Sequence, residues 1–535
     1  MRPVLRLLAV YGPATLLYWL LFAWSYTKGL FQDSAVDFLL QSLGGQILAN
    51  DPVAALASNH IQPPGLNAIF ALAIAMPGST RIALAVFFAL IGWATVLLIA
   101  SALRNLGQSV AVAATASAVF AVLPSTMQTV MFPYTTIVVG LLGALTLWGL
   151  SLLGPWPRLG LVTWTAATVA LALTRPSFLW VVAVAGLAVM VLFAGRGLRR
   201  FALAAAAIGA ALVFGVQMHY VSEFGQLSMS SWSGQNLVKG LYTSKAVTKE
   251  QIVASAGSDP CLQELATKLD FWPNQNIAGA YPVCTAAYAD EGTQEFTREG
   301  SKGVIDDGRG KQLEVFRHNT VPRLKLAQSW DELASRVVAD HPDAFFEVVL
   351  GQKQYRGSVE LMFQPGFQHG LTAAQLEKTG RVVGVFRPLG VIFPAASFGM
   401  LVLGVVLSIR ARGSAKLTLR QRQTMWFGAA IMAYGMTVAG LLEYGENERY
   451  LTELYPVLTV VAALTVGVVL RQFTRPNEAG PPGPAAPGVP AGTEPGPAKR
   501  SDTAPGRGLP AAAAEVAAPA RVAPATPTAP AEPAP

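Results

Sequence analysis

The apolar stretch IALAVFFALIGWATVLLIASAL, residues 82–103, is the clearest indication of fold in the chain. It contains no charged residue, and a helix of this length spans about 30 Å, the thickness of the hydrocarbon core of a bilayer. Comparable stretches recur along the chain, so we predict an all-α polytopic membrane protein with about ten transmembrane helices. The predicted spans are residues 4–24, 82–103, 109–127, 135–154, 161–176, 178–195, 201–220, 389–409, 424–442 and 455–470.

The composition agrees with a membrane protein. Of 535 residues, 52% are apolar and only 13% are charged, and the mean hydropathy is +0.43. The net charge of +8 does not indicate nucleic-acid binding, because most basic residues outside the insert and the tail fall in short gaps between spans. No Walker A loop, HExxH, CxxC or GxSxG motif occurs, so ATPase, zinc-protease and serine-hydrolase functions have no local support.

One short segment decides the predicted orientation. Residues 64–76 are apolar but short, and such a run is more often interfacial or re-entrant than spanning. If it does not cross, the basic residues collect in the inner gaps, as the positive-inside rule requires. The inner gaps then hold Arg2, Arg6, Arg104, Arg158, Arg196, Arg199, Arg200, Arg410, Arg412, Lys416, Arg420, Arg422, Arg471 and Arg475, and the short outer loops hold Lys28, Arg81, Arg175 and Arg449. We therefore expect a plasma-membrane protein with both termini in the cytoplasm.

This orientation divides the chain into four parts. Residues 1–221 form an N-terminal transmembrane module with an outer loop at 25–81, and residues 222–388 form a mixed extracytoplasmic insert. Residues 389–475 form the C-terminal transmembrane helices. Residues 476–535 are rich in Pro and Ala, which predicts a disordered cytoplasmic tail.

Acidic residues are absent between Asp51 and Glu223, although Asp33 and Asp37 directly follow the first span. Their i, i+4 spacing places both carboxylates on one face of a helix, next to the membrane. Such a pair could serve chemistry, or Asp33 could cap the helix while Asp37 is solvated. A further acidic segment, residues 443–450, precedes the last span, and the predicted topology places all these acids on the outer face.

The insert contains both cysteines of the chain, Cys261 and Cys284. Outside the cytoplasm a disulfide is the simplest interpretation, and closing a loop of this size is worth roughly 3 kcal/mol. Two unpaired thiols remain the alternative, whereas a metal pair is disfavoured because no His lies close by. Within the insert, the sequence from Ser329 to Glu332 predicts a capping box before an amphipathic helix, and Pro342 predicts the start of another.

Three motifs and their order resemble the GT-C glycosyltransferases of the protein-mannosyltransferase and aminoarabinose-transferase kind. The first is Asp33 with the helix at 35–47, the second is the segment from His60 to Leu66, and the third is residues 448–450 with the start of the last span at 455–456. The segment at 174–177 also looks like a family segment. The resemblance covers most of residues 1–475 as architecture.

The resemblance implies a transferase that moves a sugar from a polyprenyl-phosphate donor in the membrane lipid to a cell-envelope acceptor. Asp33 matches the general base of the family, and Asp37 and Glu448 are candidate substrate-binding acids. Three cations are candidate contacts of the donor phosphate, namely Arg449, Arg175 and His60. From the residues alone, each has an ordinary alternative: an ion pair for Arg449, an interfacial anchor for Arg175 and a turn cap for His60.

Two departures from the family pattern bear on mechanism. Gln62 stands directly before the Pro-Pro pair, where several family members have His or Lys. The outer loop at 131–135 lacks the second acid that many members carry, so no cofactor and a divalent metal both stay open as alternatives. The competing functions are a transporter or flippase of a lipid-linked substrate and a non-catalytic scaffold, and the missing acids in spans two to seven disfavour transport.

Overall fold

The computed structural model describes most of the chain that precedes the tail. The described residues are 2–31, 43, 45–176, 196–226, 229–269, 280–288, 302–306, 312–316, 319–350, 392–393, 395–410, 417–442 and 452–474. The predicted span at 178–195, the predicted tail and four of the predicted site residues lie outside these ranges. The four residues are Asp33, Asp37, Glu448 and Arg449.

All the secondary structure among the described residues of the N-terminal module is helical. Its α-helices are α1 (Arg2–Thr27), α2 (Gly45–Asn50), α3 (Pro52–Ala57), α4 (Gly65–Ile74), α5 (Thr80–Asn105), α6 (Val110–Val122), α7 (Pro124–Met131), α8 (Thr135–Leu152), α9 (Pro157–Thr174) and α10 (Arg199–Phe224). A short 3-10 helix, Arg196–Leu198, precedes α10.

The insert adds a helical lobe and one hairpin. Its helices are α11 (Ser233–Thr243), α12 (Lys249–Ala256), α13 (Pro260–Thr267), α14 (Pro282–Thr285), α15 (Val321–Asp340) and α16 (Pro342–Leu350), with a 3-10 turn at Ala286–Tyr288. Strands β1 (Lys302–Asp306) and β2 (Gln312–Phe316) pair in antiparallel fashion, with Val304 opposite Glu314. The C-terminal helices are α17 (Ala395–Arg410), α18 (Leu419–Leu442) and α19 (Tyr455–Thr474).

Each predicted span within the described residues coincides with a helix. Not all of these helices have the length and hydropathy expected of a helix that crosses the membrane. Four do so among the described residues: Leu7–Thr27, Thr80–Asn105, Thr135–Leu152 and Arg199–Phe224. The pair α6 and α7 is bent by 55° and would be a fifth as one broken span. The predicted count of ten therefore stays a prediction. Helix α4 has 10 residues, about 15 Å of helix, which is too short to cross the bilayer.

Helix α8 lies at the centre of the bundle. Of the apolar 18-residue stretch in each helix, 83% is buried in α8, compared with 22% in α1 and 28% in α10. The outer helices expose large apolar side chains, among them Leu16 and Leu20 on α1 and Ile208 and Phe214 on α10. Apolar side chains that face outward on long helices are expected where lipid, not water, surrounds the protein.

Glycines allow α8 and α9 to pack closely. A Cβ on Gly160 would lie 2.6 Å from the carbonyl oxygen of Gly149, and a Cβ on Gly149 would lie 3.0 Å from that of Gly160. Helices in membranes associate through such small residues, because lipid offers no hydrophobic drive for association. The close approach fixes the antiparallel pairing of these two helices.

The two ends of α8 contact different parts of the chain. Near its C-terminal end, the Asn105 amide donates to Ser151 Oγ (3.1 Å), and the Gln421 amide donates to the carbonyl oxygen of Leu106 (2.7 Å). Near its N-terminal end, a Cβ on Gly140 would lie 3.3 Å from Cγ of Pro456. Segments that we predict to be cytoplasmic thus meet at one end of α8, and segments that we predict to be outside meet at the other. Which end faces the cytoplasm stays a prediction.

The helical lobe of the insert has its own apolar core. Leu241, Leu265, Trp330 and Leu333 are buried there. The Cys261–Cys284 disulfide is present, as predicted, and joins α13 to α14. The predicted capping box at residues 329–332 is wrong, because α15 already begins at Val321, where the Thr320 hydroxyl accepts a hydrogen bond from the Arg323 N–H. The prediction for Pro342 is confirmed, since α16 starts at this residue.

Candidate active site

The segment that carries Asp33 and Asp37 is joined to α4 by a buried hydrogen bond. The N–H of Leu43 donates to Oδ1 of Asn67, at 2.8 Å. Leu43 and Asn67 are both buried. Although the acids themselves lie outside the described residues, the end of their segment is therefore fixed against the helix that follows the Pro-Pro pair.

Helix α4 in turn begins against the end of α9. A Cβ on Gly65 would lie 2.7 Å from the carbonyl oxygen of Leu173, a distance that only glycine permits without a shift of backbone. The second motif, residues 60–66, is thereby placed directly beside the segment that starts at Thr174. This contact brings the loop that we predict to lie outside to the C-terminal end of α9.

Arg175, the next residue, forms a buried ion pair with Glu453. Its Nε donates to Glu453 Oε1 at 3.1 Å, and its Nη2 contacts the same oxygen. Both side chains are fully buried. The predicted cation therefore has an internal carboxylate partner that lies 278 residues away in sequence. The pair fixes the segment just before the last helix, where the third motif lies.

These contacts join the flanks of all three motifs and of the segment at 174–177. The chain of contacts runs from Leu43 to Asn67, from Gly65 to Leu173 and from Arg175 to Glu453. Segments that are distant in sequence converge at the N-terminal end of α8. The positions of the four undescribed site residues within this region stay a prediction.

His60, the second described site residue, is buried in a polar network. Its Nδ1 lies 2.7 Å from Ser231 Oγ, and the Ser231 hydroxyl donates to the carbonyl oxygen of His60 at 2.8 Å. Because that hydroxyl has one proton, the shorter contact requires the Nδ1–H tautomer of the imidazole. Burial, and then the nearby positive charge of Arg323, lowers the pKa of His60 to about 3. The ring is therefore neutral at physiological pH.

Arg323 connects the same network to the helical lobe. Its Nη1 donates to Gln235 Oε1 and its Nη2 to the carbonyl oxygen of Ser231, both at 2.9 Å. The guanidinium also stacks over the ring of Trp232, at 4.0 Å from the centroid. Burial lowers the pKa of Arg323 to about 10, which leaves the group charged at neutral pH.

Backbone contacts strengthen this junction between the first outer loop and the insert. The His60 N–H donates to Asn319 Oδ1 (3.1 Å), and the Ser231 N–H donates to the carbonyl oxygen of Ile61 (3.2 Å). The Tyr220 hydroxyl lies 2.6 Å from the carbonyl oxygen of Asn59. The insert is thus hydrogen-bonded to the loop that carries the second motif.

Sequence reasoning named His60 and Arg175 but missed their partners. Ser231, Arg323 and Asn67 carried no local motif, and neither did Glu453. Ionisable residues near the spans are rare, and each is expected to have a partner. The sequence therefore indicated that partners for His60 and Arg175 exist. The pairing itself depends on tertiary structure.

A divalent metal was left open by the sequence. Within the described ranges, no group of three or more His, Cys, Asp or Glu side chains is arranged to hold a metal ion. The acids that such a site would use, Asp33, Asp37 and Glu448, lie outside those ranges. The described residues therefore supply no metal centre of their own, and we derive no step through a metal.

No protein-family model matches the chain, and no curated protein matches it. Two solved structures are similar to it, both from Archaeoglobus fulgidus: the oligosaccharyltransferase in complex with Zn and sulfate, and the archaeal oligosaccharyltransferase AglB in complex with an inhibitory peptide and a dolichol-phosphate.

The similarity to both structures is distant. The first has 14% identity and a TM-score of 0.34, and the match covers 82% of this chain and 45% of that one. The second has 14% identity and a TM-score of 0.36, with 77% and 43% covered. The chain thus spans less than half the length of either structure.

Proposed function

We propose that the protein is a membrane glycosyltransferase of the GT-C type. It moves a sugar from a polyprenyl-phosphate donor to an acceptor on the outer face of the membrane. The observation that supports this most is the convergence of the flanks of three motifs, through the contacts Leu43–Asn67, Gly65–Leu173 and Arg175–Glu453. We infer the activity itself from the resemblance of these motifs to those of GT-C enzymes.

Asp33 is the proposed general base. It accepts the proton of the acceptor hydroxyl or amine while the acceptor atom forms a bond to C1 of the sugar. The bond between C1 and the phosphate oxygen breaks, and its electron pair leaves on the polyprenyl phosphate. Because the phosphate is already a good leaving group, the reaction mainly needs a base and a positive environment for the departing oxygen.

Arg449 is the proposed cation for the departing phosphate, because its planar guanidinium can donate two parallel hydrogen bonds to phosphate oxygens. Asp37 and Glu448 are proposed to orient the substrates. His60 and Arg175 have internal partners, Ser231 and Glu453. We therefore assign these two residues to positioning the outer loops, and direct phosphate contact by them is not part of the proposal.

We propose that the protein is oriented in the membrane as the positive-inside rule predicts. The segments 25–81, 222–388 and 443–453 face outward, the termini face the cytoplasm, and the acceptor belongs to the cell envelope. The donor enters from the lipid phase, since its polyprenyl chain is apolar. The disulfide between Cys261 and Cys284 is compatible with an oxidising compartment for the insert.

Purified protein in proteoliposomes can test the reaction class. The liposomes carry a radiolabelled polyprenyl-phosphate sugar, and an extract of envelope acceptors is added outside. A transferase releases free polyprenyl phosphate and labels the acceptor. If the donor crosses the bilayer intact and no lipid phosphate is released, the protein is a transporter or flippase and the proposed function is wrong.

A further inference from the structure

Unpartnered polar atoms are concentrated where α7 is followed by α8. Among the described residues, the hydroxyls of Thr126, Thr135 and Thr136 have no hydrogen-bond partner, and neither does either polar atom of the Gln128 amide. All these atoms are buried. Thr135 is 0% exposed and Thr136 is 5% exposed. A buried polar atom without a partner is costly, so such a group of atoms indicates a ligand or ordered water.

Other threonines on the membrane helices behave differently. The hydroxyls of Thr146, Thr168 and Thr459 each donate to a backbone carbonyl one turn earlier in their own helix. Thr135 and Thr136 are the first two residues of α8, so no helical turn precedes them. Their hydroxyls are therefore available to a group outside the helix.

The start of α8 also offers backbone donors. Tyr134, the residue before the helix, makes no side-chain capping bond, and the N–H groups of Thr135 and Thr136 donate to none of the described residues. The free N–H groups and the peptide dipoles give this end of a helix a partial positive charge. Four donors, two hydroxyls and two N–H groups, thus lie together at one helix end.

This end of α8 lies beside the convergent segments described above. Thr136 precedes Gly140 by one turn, so both residues occupy one face of the helix. A Cβ on Gly140 would lie 3.3 Å from Cγ of Pro456 and 3.7 Å from the carbonyl oxygen of Glu453. The carboxylate of Glu453 is neutralised by Arg175 and does not repel an anion at this end.

The chemistry of these donors selects an oxyanion. Water accepts only about two hydrogen bonds, whereas a phosphate group has several oxygens and a negative charge that matches the helix dipole. A neutral sugar hydroxyl would use one or two of these donors and would gain nothing from the dipole.

We propose that the N-terminus of α8, with the hydroxyls of Thr135 and Thr136, is a binding site for a phosphate group. The inference rests on the proposed function for the source of the phosphate, which is the lipid-linked donor. The site accounts for the missing acid in the loop at 131–135, because a carboxylate there would repel the phosphate. Binding at this site holds the phosphate near Pro456, at the start of α19.

Binding can be measured on the full chain in nanodiscs, from the shift in thermal unfolding temperature on addition of a polyprenyl phosphate. The matching polyprenol lacks the phosphate and is expected to give no shift through this site. Inorganic phosphate tests whether the headgroup alone is bound, and it is expected to compete with the lipid only at much higher concentration. Thr135→Val and Thr136→Val keep the shape of each side chain and remove the hydroxyl.

Each single variant is expected to bind the polyprenyl phosphate roughly tenfold more weakly, since a hydrogen bond to a charged group is lost. Without ligand, each variant is expected to unfold at the wild-type temperature or above, because an unpartnered buried hydroxyl is replaced by a methyl group. Thr146→Val is the matched control on the same helix. Its hydroxyl already donates to the carbonyl oxygen of Gly143, so affinity for the lipid phosphate stays at the wild-type value.

Wild-type affinity in both Thr135→Val and Thr136→Val would overturn the inference, and ordered water would then explain these atoms. That result leaves the proposed function standing, provided the wild type still releases lipid phosphate from the donor. Conversely, weaker binding in the variants together with no transferase activity in the wild type supports the phosphate site and refutes the proposed function. The two failures are therefore distinguishable.

Discussion

Arg175 and Glu453 form an ion pair in which both side chains are fully buried. The pair joins the end of α9 to the start of α19, two parts of the chain separated by 278 residues. Burying two charges is costly unless they compensate each other, so neither residue can be removed alone without leaving an uncompensated charge. This pair holds the start of α19 against the end of α9.

Breaking the pair is expected to destabilise the protein strongly. Arg175→Met leaves the Glu453 carboxylate buried without its cation, at a cost of about 3–5 kcal/mol. Thermal unfolding of the purified protein in detergent measures the loss. The double variant Arg175→Met with Glu453→Met removes both charges and is expected to recover most of the stability. If the double variant is as unstable as the single one, charge compensation is not what the pair provides.

The buried His60 predicts a dependence of stability on pH. Its pKa is about 3 in the folded protein and 6.5 in the unfolded chain, so only the unfolded chain binds this proton between the two values. His60 therefore contributes stability that is present above pH 6.5 and is lost as the pH falls towards 3, by about 1.4 kcal/mol per pH unit.

Asp331 is expected to act in the opposite direction. Burial raises its pKa from 3.8 to about 6, so its contribution is present below pH 3.8 and is lost as the pH rises through 6. Between these values the two slopes oppose each other. Between pH 6 and pH 4, the unfolding temperature of Asp331→Asn should fall more steeply on acidification than that of the wild type. The unfolding temperature of His60→Asn should instead rise as the pH falls over the same range. Equal slopes in the wild type and both variants would contradict the burial of these groups.

A side chain at position 65 is expected to destabilise the protein. In Gly65→Ala the new methyl group would meet the backbone oxygen of Leu173, which cannot move away as a flexible side chain could. We expect a loss of roughly 1–3 kcal/mol in the free energy of unfolding. Gly215→Ala is the control, because Gly215 lies within α10 and a Cβ there meets nothing within 4 Å. This control should be about 1 kcal/mol more stable than the wild type.

The disulfide is expected to stabilise the helical lobe of the insert. Cys261 and Cys284 are 23 residues apart, and in the loop-closure account such a crosslink is worth about 3 kcal/mol. Replacing both cysteines by serine should make the lobe more sensitive to limited proteolysis. Reducing agent should have the same effect on the wild type and no effect on the variant. Equal sensitivity before and after reduction of the wild type would refute this role.

Local patterns predicted the helices well. The apolar run at 82–103 became α5 because the length and composition of a membrane span require no tertiary information. Pro342 started α16, since proline suits the first turn of a helix. The predicted capping box at Ser329 failed for an equally local reason. Thr320 and Pro322 had already started α15, and the Ser329 hydroxyl donates to the carbonyl oxygen of Lys325 within it.

The partners in the candidate site were not predictable in the same way. Arg175 and His60 were identified as candidate residues because their segments resemble those of GT-C enzymes. No local rule connects Arg175 to Glu453 or His60 to Ser231, because these contacts depend on which helices pack together. Close approaches such as Gly65 to Leu173 depend on the same packing. The sequence therefore identified the candidate residues, but only the packing of the helices determines which side chains contact them.

The central claim is that Asp33 is the base of a glycosyl transfer from a polyprenyl-phosphate donor. The most direct test measures release of polyprenyl phosphate from a radiolabelled donor by the wild type, by Asp33→Asn and by Asp51→Asn. Asp51 is the control, because it is an exposed acid of the same outer loop whose side chain caps α3 by accepting from the Ala54 N–H. Release is expected to fall by at least a hundredfold in Asp33→Asn, the scale of general-base catalysis, and to stay near the wild-type rate in Asp51→Asn. Equal release by the wild type and Asp33→Asn would refute the assignment of Asp33 as the base.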